Sequence, residues 1–162
     1  MGKNQWSAEV HALAAALQAQ GWRLVVAESC TGGWIAKACT DIPGSSAWFD
    51  CGFVSYSNNS KQYLLEVAEE TLAAYGAVSE PVVAEMVRGA IANSQADVAV
   101  AVSGIAGPEG GSVQKPVGMV CFAWLVPDVP VQVATCQFAG DRDAVRSQAV
   151  GYALQGLLTL LQ

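Results

Sequence analysis

The chain has 162 residues, a length that suits one domain with a sizeable buried core. Its net charge of −6 gives no basic surface of the kind that nucleic-acid binding requires. No apolar run reaches the roughly 18 to 20 residues of a membrane span, and the polar N-terminus does not resemble a signal peptide. We therefore expect a single-domain cytoplasmic protein, residues 1–162, that binds neither nucleic acid nor a membrane.

The composition also predicts association of the chain with itself. Charged residues make up 14% of the chain, well below the roughly 25% of an average domain, and apolar residues make up 52%. Burial of apolar surface between subunits explains both values, so we expect a homo-oligomer.

The cysteines and histidine of the sequence do not predict a metal site. The chain has five cysteines and one histidine, His11. The cysteines are widely spaced, with no C-x-x-C pair, so they form no zinc ligand set. Most lie in apolar surroundings and are best read as small core residues.

Hydrophobic periodicity and turn signals predict alternating helices and strands followed by a β-hairpin. Ser7 is expected to cap the first helix. This order of elements is typical of an α/β sandwich around a mixed sheet. The predicted elements, in chain order, are a helix from Ser7 to Gly21, a strand from Trp22 to Ala27, a helix from Thr31 to just before Asp41, a strand from Gly52 to Tyr56, short helices over Lys61 to Leu65 and Glu69 to Tyr75, a longer helix opened by Ser79, strands over Asp97 to Val102, Val117 to Val126 and Val131 to Phe138, and a terminal helix from Gly140.

The segment from Glu28 to Gly33 joins a buried strand to a helix, so Ser29, Cys30 and Thr31 are expected on a tight turn. Such a turn directs backbone N–H groups and the positive end of a helix dipole at a bound anion or a developing oxyanion. An ordinary helix cap and turn would give the same pattern.

Two further strand ends carry polar or glycine-rich segments, Tyr56 to Lys61 and Ser103 to Ser112. The second is expected to be an irregular loop. In open α/β sheets, ligands bind beyond the carboxyl ends of the strands. We therefore expect these two segments and the Glu28 to Gly33 turn to meet at one site.

The candidate reactive groups at this site include Ser29, Tyr56 and Lys61 but no histidine. A lysine amine made neutral by desolvation can serve a serine hydroxyl as its base. We therefore predict Ser29 as nucleophile, Lys61 as base, and Tyr56 as a hydrogen-bond relay. Backbone N–H groups after Ser29 and around Gly104 can form an oxyanion hole.

Alternatives to this prediction remain open. Cys30 is a rival nucleophile, because a helix N-terminus can lower the pKa of a thiol. Lys61 can equally be a solvated helix residue, and Tyr56 an ordinary strand aromatic.

Arg142 and Arg146 are four residues apart at the start of the terminal helix, so both side chains lie on one face. Arginines at a helix N-terminus oppose the dipole unless an anion binds there, which favours a phosphate or carboxylate partner. Surface ion pairs with Asp141 and Asp143 are the alternative.

Several motifs in order resemble the family of the competence-damage-inducible protein A C-terminal domain, most closely its stand-alone members, the nicotinamide-nucleotide amidohydrolases. The resemblance covers about Ala8 to Leu158. The motifs are Ala27 to Gly33; Gly44-Ser45-Ser46 through Phe49, Gly52 and Val54 to Tyr56-Ser57-Asn58 and Lys61; Gly76 to Ser79; Ser103 to Pro108 with Gly110-Gly111-Ser112 and Lys115 to Gly118; and Gly140-Asp141-Arg142 with Val145-Arg146.

The resemblance implies a three-layer α/β/α sandwich and hydrolysis of the carboxamide of nicotinamide mononucleotide to the acid, with release of ammonia. It implies Ser29, Lys61 and Tyr56 as catalytic residues, a small-molecule nucleotide as partner, and neither metal nor cofactor. A nucleotide-binding module without turnover is the alternative. The substrate-binding residues are expected to be Cys30, Thr31, Gly32, Gly33, Ser103, Gly104, Ile105, Arg142 and Arg146.

Overall fold

The structure is a computed structural model that describes residues 3–162. A mixed sheet of five strands in the order β2-β1-β3-β4-β5 forms its centre. β1 is parallel to both β2 and β3, whereas β3 and β4, and β4 and β5, are antiparallel. The strands are β1 (Leu24–Glu28), β2 (Phe49–Val54), β3 (Val98–Gly104), β4 (Met119–Leu125) and β5 (Gln132–Gln137). The mixed sheet expected from the sequence is confirmed.

Helices cover both faces of the sheet. One core packs α1, α2 and α6 on one face, and a second core packs α3, α4 and α5 on the other. The three-layer α/β/α sandwich is therefore confirmed. The helices are α1 (Ser7–Gln20), α2 (Trp34–Thr40), α3 (Asn58–Leu65), α4 (Glu69–Tyr75), α5 (Glu80–Ala92) and α6 (Arg142–Leu161), with a 3₁₀ turn at Ser45–Ala47. Within residues 3–162, no helix is long and apolar enough to span a bilayer.

Four helix starts differ from the sequence prediction: α2 begins at Trp34 rather than Thr31, α6 begins at Arg142 rather than Gly140, and α1 and α3 also differ. Ser7 is the first residue of α1 rather than its cap, because the Asn4 side chain accepts the N–H of Trp6, the residue before the helix (3.0 Å). α3 begins at Asn58 rather than at Lys61, since the Ser57 hydroxyl accepts the Ser60 N–H (3.1 Å) and caps the helix there.

Near the site, β1 and β3 end later than predicted, because pairing with a neighbour extends them, whereas β2 ends at Val54 rather than Tyr56. Glu28 was expected in the turn, but it pairs with Val54 and Val102 and ends β1. Ser103 and Gly104 were expected in a loop, but both pair with β4 and end β3. Neighbouring strands thus order polar residues that local sequence signals assign to turns.

The packing of α3 on α5 places the residues of α3 at the site. A Cβ atom on Gly89 of α5 would collide with the backbone carbonyl of Leu65, the last residue of α3. Glycine at this position therefore lets the backbones of the two helices come into direct contact.

Candidate active site

The ends of the parallel strands β1 and β2 bring Ser29 and Lys61 together, as predicted. Ser29 follows β1, and Lys61 lies in the first turns of α3, which follows β2. Lys61 Nζ lies 3.0 Å from Ser29 Oγ, and only 1% of Lys61 is exposed. The reading of Lys61 as a solvated helix residue is therefore wrong.

The hydrogen bonds of Lys61 fit both an ammonium, which donates to Ser29 Oγ as well, and a neutral amine, which accepts from it. Nζ donates to the carbonyl oxygens of Ser55 (2.9 Å) and Tyr56 (3.2 Å). A neutral amine has two hydrogens and one lone pair, so two carbonyl acceptors leave the lone pair for the Ser29 hydroxyl. Burial lowers the pKa of Lys61 to about 8, because desolvation disfavours the ammonium form.

Tyr56 contacts Lys61 through its main chain rather than through its ring. Its carbonyl accepts from Lys61 Nζ, while its hydroxyl accepts from Arg142 Nη2 at 3.2 Å. The side chain is 60% exposed. The predicted relay would place the hydroxyl between Ser29 and Lys61, whereas the structure places it against Arg142 at the mouth of the site.

The buried carboxylate of Glu28 occupies the N-terminus of α2. It accepts from the hydroxyl of Thr31 (2.6 Å) and from the N–H groups of Ile35 (2.9 Å) and Ala36 (3.0 Å). The N–H groups of Ile35 and Ala36 are therefore bound by a side chain of the protein and are not free for an anion, which leaves the turn itself as the expected place for a developing oxyanion. The sequence prediction missed this residue, although an acidic residue in an otherwise apolar strand was a usable signal.

Cys30 lies beside the nucleophile but is not activated. The thiol is 5% exposed, and burial raises its pKa to about 12. The expectation that a helix N-terminus would acidify Cys30 is wrong, because desolvation outweighs the nearby positive charge of Arg146. The rival nucleophile is therefore a buried thiol.

Backbone donors lie next to Ser29. Within residues 3–162, the N–H groups of Cys30 and Thr31 donate to no backbone carbonyl. Successive N–H groups of a strand point to opposite sides, and the Ile105 N–H donates to Met119 of β4 (2.9 Å). The Gly104 N–H therefore faces the β1 side, where Ser29 lies.

The predicted binding residues Ser103 and Ile105 are engaged within the protein. The Ser103 hydroxyl donates to the Ala77 carbonyl (2.8 Å). The Ile105 carbonyl accepts from the Gly118 N–H (2.7 Å). These contacts join the end of β3 to the segment before α5 and to the start of β4.

Both predicted arginines reach the site from α6, and both bind main-chain carbonyls. Arg142 Nη1 donates to Gly107 (2.7 Å). Arg146 Nε donates to Cys30 (2.9 Å), and its Nη2 to Thr31 (3.3 Å). The salt bridges among residues 3–162 are Arg23–Asp50 and Lys37–Asp41, so the alternative of ion pairs with Asp141 and Asp143 is wrong. Asp141 instead caps α6 by accepting the Ala144 N–H (2.9 Å).

The two glycines of the turn permit its backbone conformation. Gly32 and Gly33 have φ values of +60° and +98°, a backbone region that other residues rarely adopt. A Cβ atom on Gly32 would also approach Arg146 Nη2 to 3.3 Å. In the part of the chain that the structure describes, no group of three or more His, Cys, Asp or Glu side chains is arranged to hold a metal ion.

Comparisons with known proteins identify close relatives of the chain. Two curated relatives are named nicotinamide-nucleotide amidohydrolase PncC. The relative from Enterobacter agglomerans is 60% identical over 146 residues, covering 90% of this chain and 89% of that protein. The relative from Escherichia coli strain K12 is 58% identical, covering 88% of this chain and 86% of that protein.

The fold has a close match among solved structures. The crystal structure of the competence/damage inducible protein CihA from Agrobacterium tumefaciens superposes with a TM-score of 0.95 at 40% identity, covering 100% of this chain and 98% of that one. The model of the CinA C-terminal domain family matches residues 7–161. With the matching fold and these relatives, this match shows that the chain belongs to the CinA C-terminal domain family.

Proposed function

We propose that the protein is an amidohydrolase that converts nicotinamide mononucleotide to nicotinate mononucleotide and ammonia, a step of pyridine-nucleotide salvage. The observation that carries this proposal is the buried pair of Ser29 Oγ and Lys61 Nζ, 3.0 Å apart. The names of the close relatives support the substrate, since both are called nicotinamide-nucleotide amidohydrolase.

Acylation begins when Ser29 Oγ attacks the carboxamide carbon and passes its proton to Lys61 Nζ. A C–O bond forms, and the carbonyl oxygen becomes an oxyanion. The N–H groups of Cys30 and Thr31, which donate to no backbone carbonyl, and that of Gly104 are the donors that we assign to this oxyanion. Each such donor in a hydrolase contributes roughly 3 kcal/mol to the transition state.

Collapse of this intermediate breaks the C–N bond. The Lys61 ammonium returns its proton to the leaving nitrogen, ammonia departs, and Ser29 remains as an ester of the nicotinate. Water then attacks the ester carbon while Lys61 again accepts a proton. Lys61 finally protonates Ser29 Oγ, and the acid leaves. Lysine acts as base and acid in turn, which a pKa near 8 permits close to neutral pH.

Nucleotide binding is assigned to the mouth of the site. Tyr56 and Arg142 bond to each other there, and Tyr56 is exposed. We assign the Arg142 guanidinium to the substrate phosphate, because Arg142 is exposed at this mouth, whereas Arg146 is half-buried and bonds to the backbone of the turn. The cytoplasmic location expected from the sequence is part of this proposal.

Ammonia release from nicotinamide mononucleotide in the presence of EDTA tests the function. We expect the purified protein to turn over and the Ser29→Ala variant to lose at least about 1000-fold in kcat, as removal of a nucleophile does in other serine hydrolases. Ser94→Ala is the matched control, since Ser94 lies between α5 and β3, at the edge of the sheet opposite the site.

Two results would contradict the proposal. Full activity of Ser29→Ala would refute the assignment of the nucleophile. Saturable binding of nicotinamide mononucleotide by the folded wild type, without ammonia release, would instead support a non-catalytic nucleotide-binding module.

A further inference from the structure

Arg146 forms a contact between distant parts of the chain. Its Nε and Nη2 atoms donate to the carbonyls of Cys30 and Thr31, which lie 116 and 115 residues away in the sequence. These carbonyls belong to the two residues directly after the nucleophile. The guanidinium also lies over the ring of Trp34, 5.6 Å from its centroid, which restricts its orientation.

The bond to Cys30 determines where the Thr31 N–H points. In a trans peptide the carbonyl and the following N–H lie on opposite sides, and the Cys30–Thr31 peptide is trans. Arg146 holds the Cys30 carbonyl on the side of α6, so the Thr31 N–H points away from α6.

This opposite side is where Ser29 meets its base. α6 packs on one face of the sheet, whereas α3, which carries Lys61, packs on the other. Ser29 Oγ contacts Lys61 and is therefore directed to the α3 side. The Thr31 N–H, which donates to no backbone carbonyl within residues 3–162, is thus presented on the same side as the nucleophile.

We propose that Arg146 is a positioning residue that orients the Cys30–Thr31 peptide so that its N–H stabilises the oxyanion, rather than a ligand of the substrate phosphate. This inference rests on the proposed amidohydrolase function. Arg146 is half-buried, and its two hydrogen bonds go to two successive carbonyls of the turn, a contact that needs two donors at a fixed spacing.

Kinetics of Arg146→Lys and Arg146→Gln with nicotinamide mononucleotide distinguish a residue that positions the turn from one that binds the substrate phosphate. Lysine keeps the positive charge but not the paired donors. For a positioning residue, both variants are expected to lose roughly 100-fold in kcat, the effect of one lost oxyanion donor, with KM changed less than threefold. The apparent pKa of the rate profile stays near 8, because Lys61 is untouched.

Arg88→Lys is the matched control, since Arg88 is an exposed arginine of α5. Its kinetics are expected to equal those of the wild type. Rates are measured well below the melting temperature of each variant, and circular dichroism verifies the folded state.

Results that contradict the role of Arg146 differ from the result that contradicts the amidohydrolase function. Near wild-type kinetics in Arg146→Lys with a raised KM in Arg146→Gln would overturn the proposal in favour of a charge that binds phosphate. An unchanged kcat in both variants would overturn it as well. Absence of turnover in the wild type would instead contradict the amidohydrolase function itself.

Discussion

Burial makes Lys61 a base at moderately alkaline pH. Its ammonium form has no carboxylate partner in the contacts that surround it, which are two carbonyls and the Ser29 hydroxyl. Desolvation therefore dominates and lowers the pKa to about 8. The reactive form is the neutral amine, which predominates above that pH.

We predict that kcat/KM rises about tenfold per pH unit up to pH 8 and is level above it. The sign follows from the lowered pKa: falling pH protonates the amine and removes the lone pair that accepts the Ser29 proton. Initial rates of ammonia release between pH 6 and 9.5 measure the profile. A rate that falls as pH rises from 6 to 8 would contradict the assignment of Lys61 as base.

We predict that Cys30→Ala keeps at least a third of the wild-type kcat. With a pKa of about 12, the thiol has almost no thiolate at neutral pH, so it contributes no nucleophile. Iodoacetamide is likewise expected to leave the native enzyme active. Loss of activity in Cys30→Ala as complete as in Ser29→Ala would make the thiol the nucleophile.

Ser29 and Lys61 were predictable as neighbours, but the partners of the arginines were not. The rule that parallel strand ends meet at one edge was sufficient to pair a turn after β1 with a helix after β2. The spacing of Arg142 and Arg146 shows only that they share a helix face. Which carbonyls they bind depends on how α6 packs beside the turn, which no local pattern encodes.

At the scale of elements, the residue that caps α2 lies outside the range that local helix-capping rules consider. Those rules look for a cap within about three residues of the helix start. The N–H groups of Ile35 and Ala36 are instead capped by Glu28, seven and eight residues earlier. The chain turns back on itself through Gly32 and Gly33, so the end of the strand caps the helix that follows it.

The contact between α3 and α5 gives a prediction for Gly89→Ala. Alanine normally stabilises a helix interior by about 1 kcal/mol over glycine. Here its Cβ would collide with the Leu65 carbonyl, and a backbone atom cannot move aside cheaply. We expect a net loss of about 3 kcal/mol in the free energy of unfolding, measured by urea denaturation.

The same substitution is expected to lower kcat, because Lys61 lies one turn before Leu65 and moves with α3. Gly151→Ala in α6 is the matched control. Its Cβ would meet only the Trp6 side chain, at 3.0 Å, and an indole ring can shift. Equal stability of the two variants would show that the backbone contact between α3 and α5 is not tight.

At the scale of the molecule, the order of elements was enough to predict the sandwich and its mixed sheet. Apolar runs such as Val98 to Val102 are covered on both faces, as continuous hydrophobicity indicates. Strand bounds were less predictable near the site, since Glu28 and Gly104 are ordered by pairing partners far along the chain. The single domain over residues 1–162 stays a prediction.

Self-association is the remaining prediction, and β5 is the element that supports it. β5 is an edge of the sheet, and its residues Gln132–Gln137 include no charge or proline. Natural edge strands usually carry such groups, which prevent pairing with another chain. Val133 on this strand is 41% exposed. A second copy of the chain, paired along β5, would cover it and account for the low charged fraction of the sequence.

We therefore expect light scattering at micromolar concentration to give at least twice the 16.8 kDa of one chain. Val133→Lys is expected to shift the protein towards the monomer, because pairing would bury the added charge. Gln114→Lys adds the same charge in the exposed loop after β3 and should leave the mass unchanged. A wild-type mass of one chain would refute self-association, whereas an oligomer unaffected by Val133→Lys would place the contact away from β5.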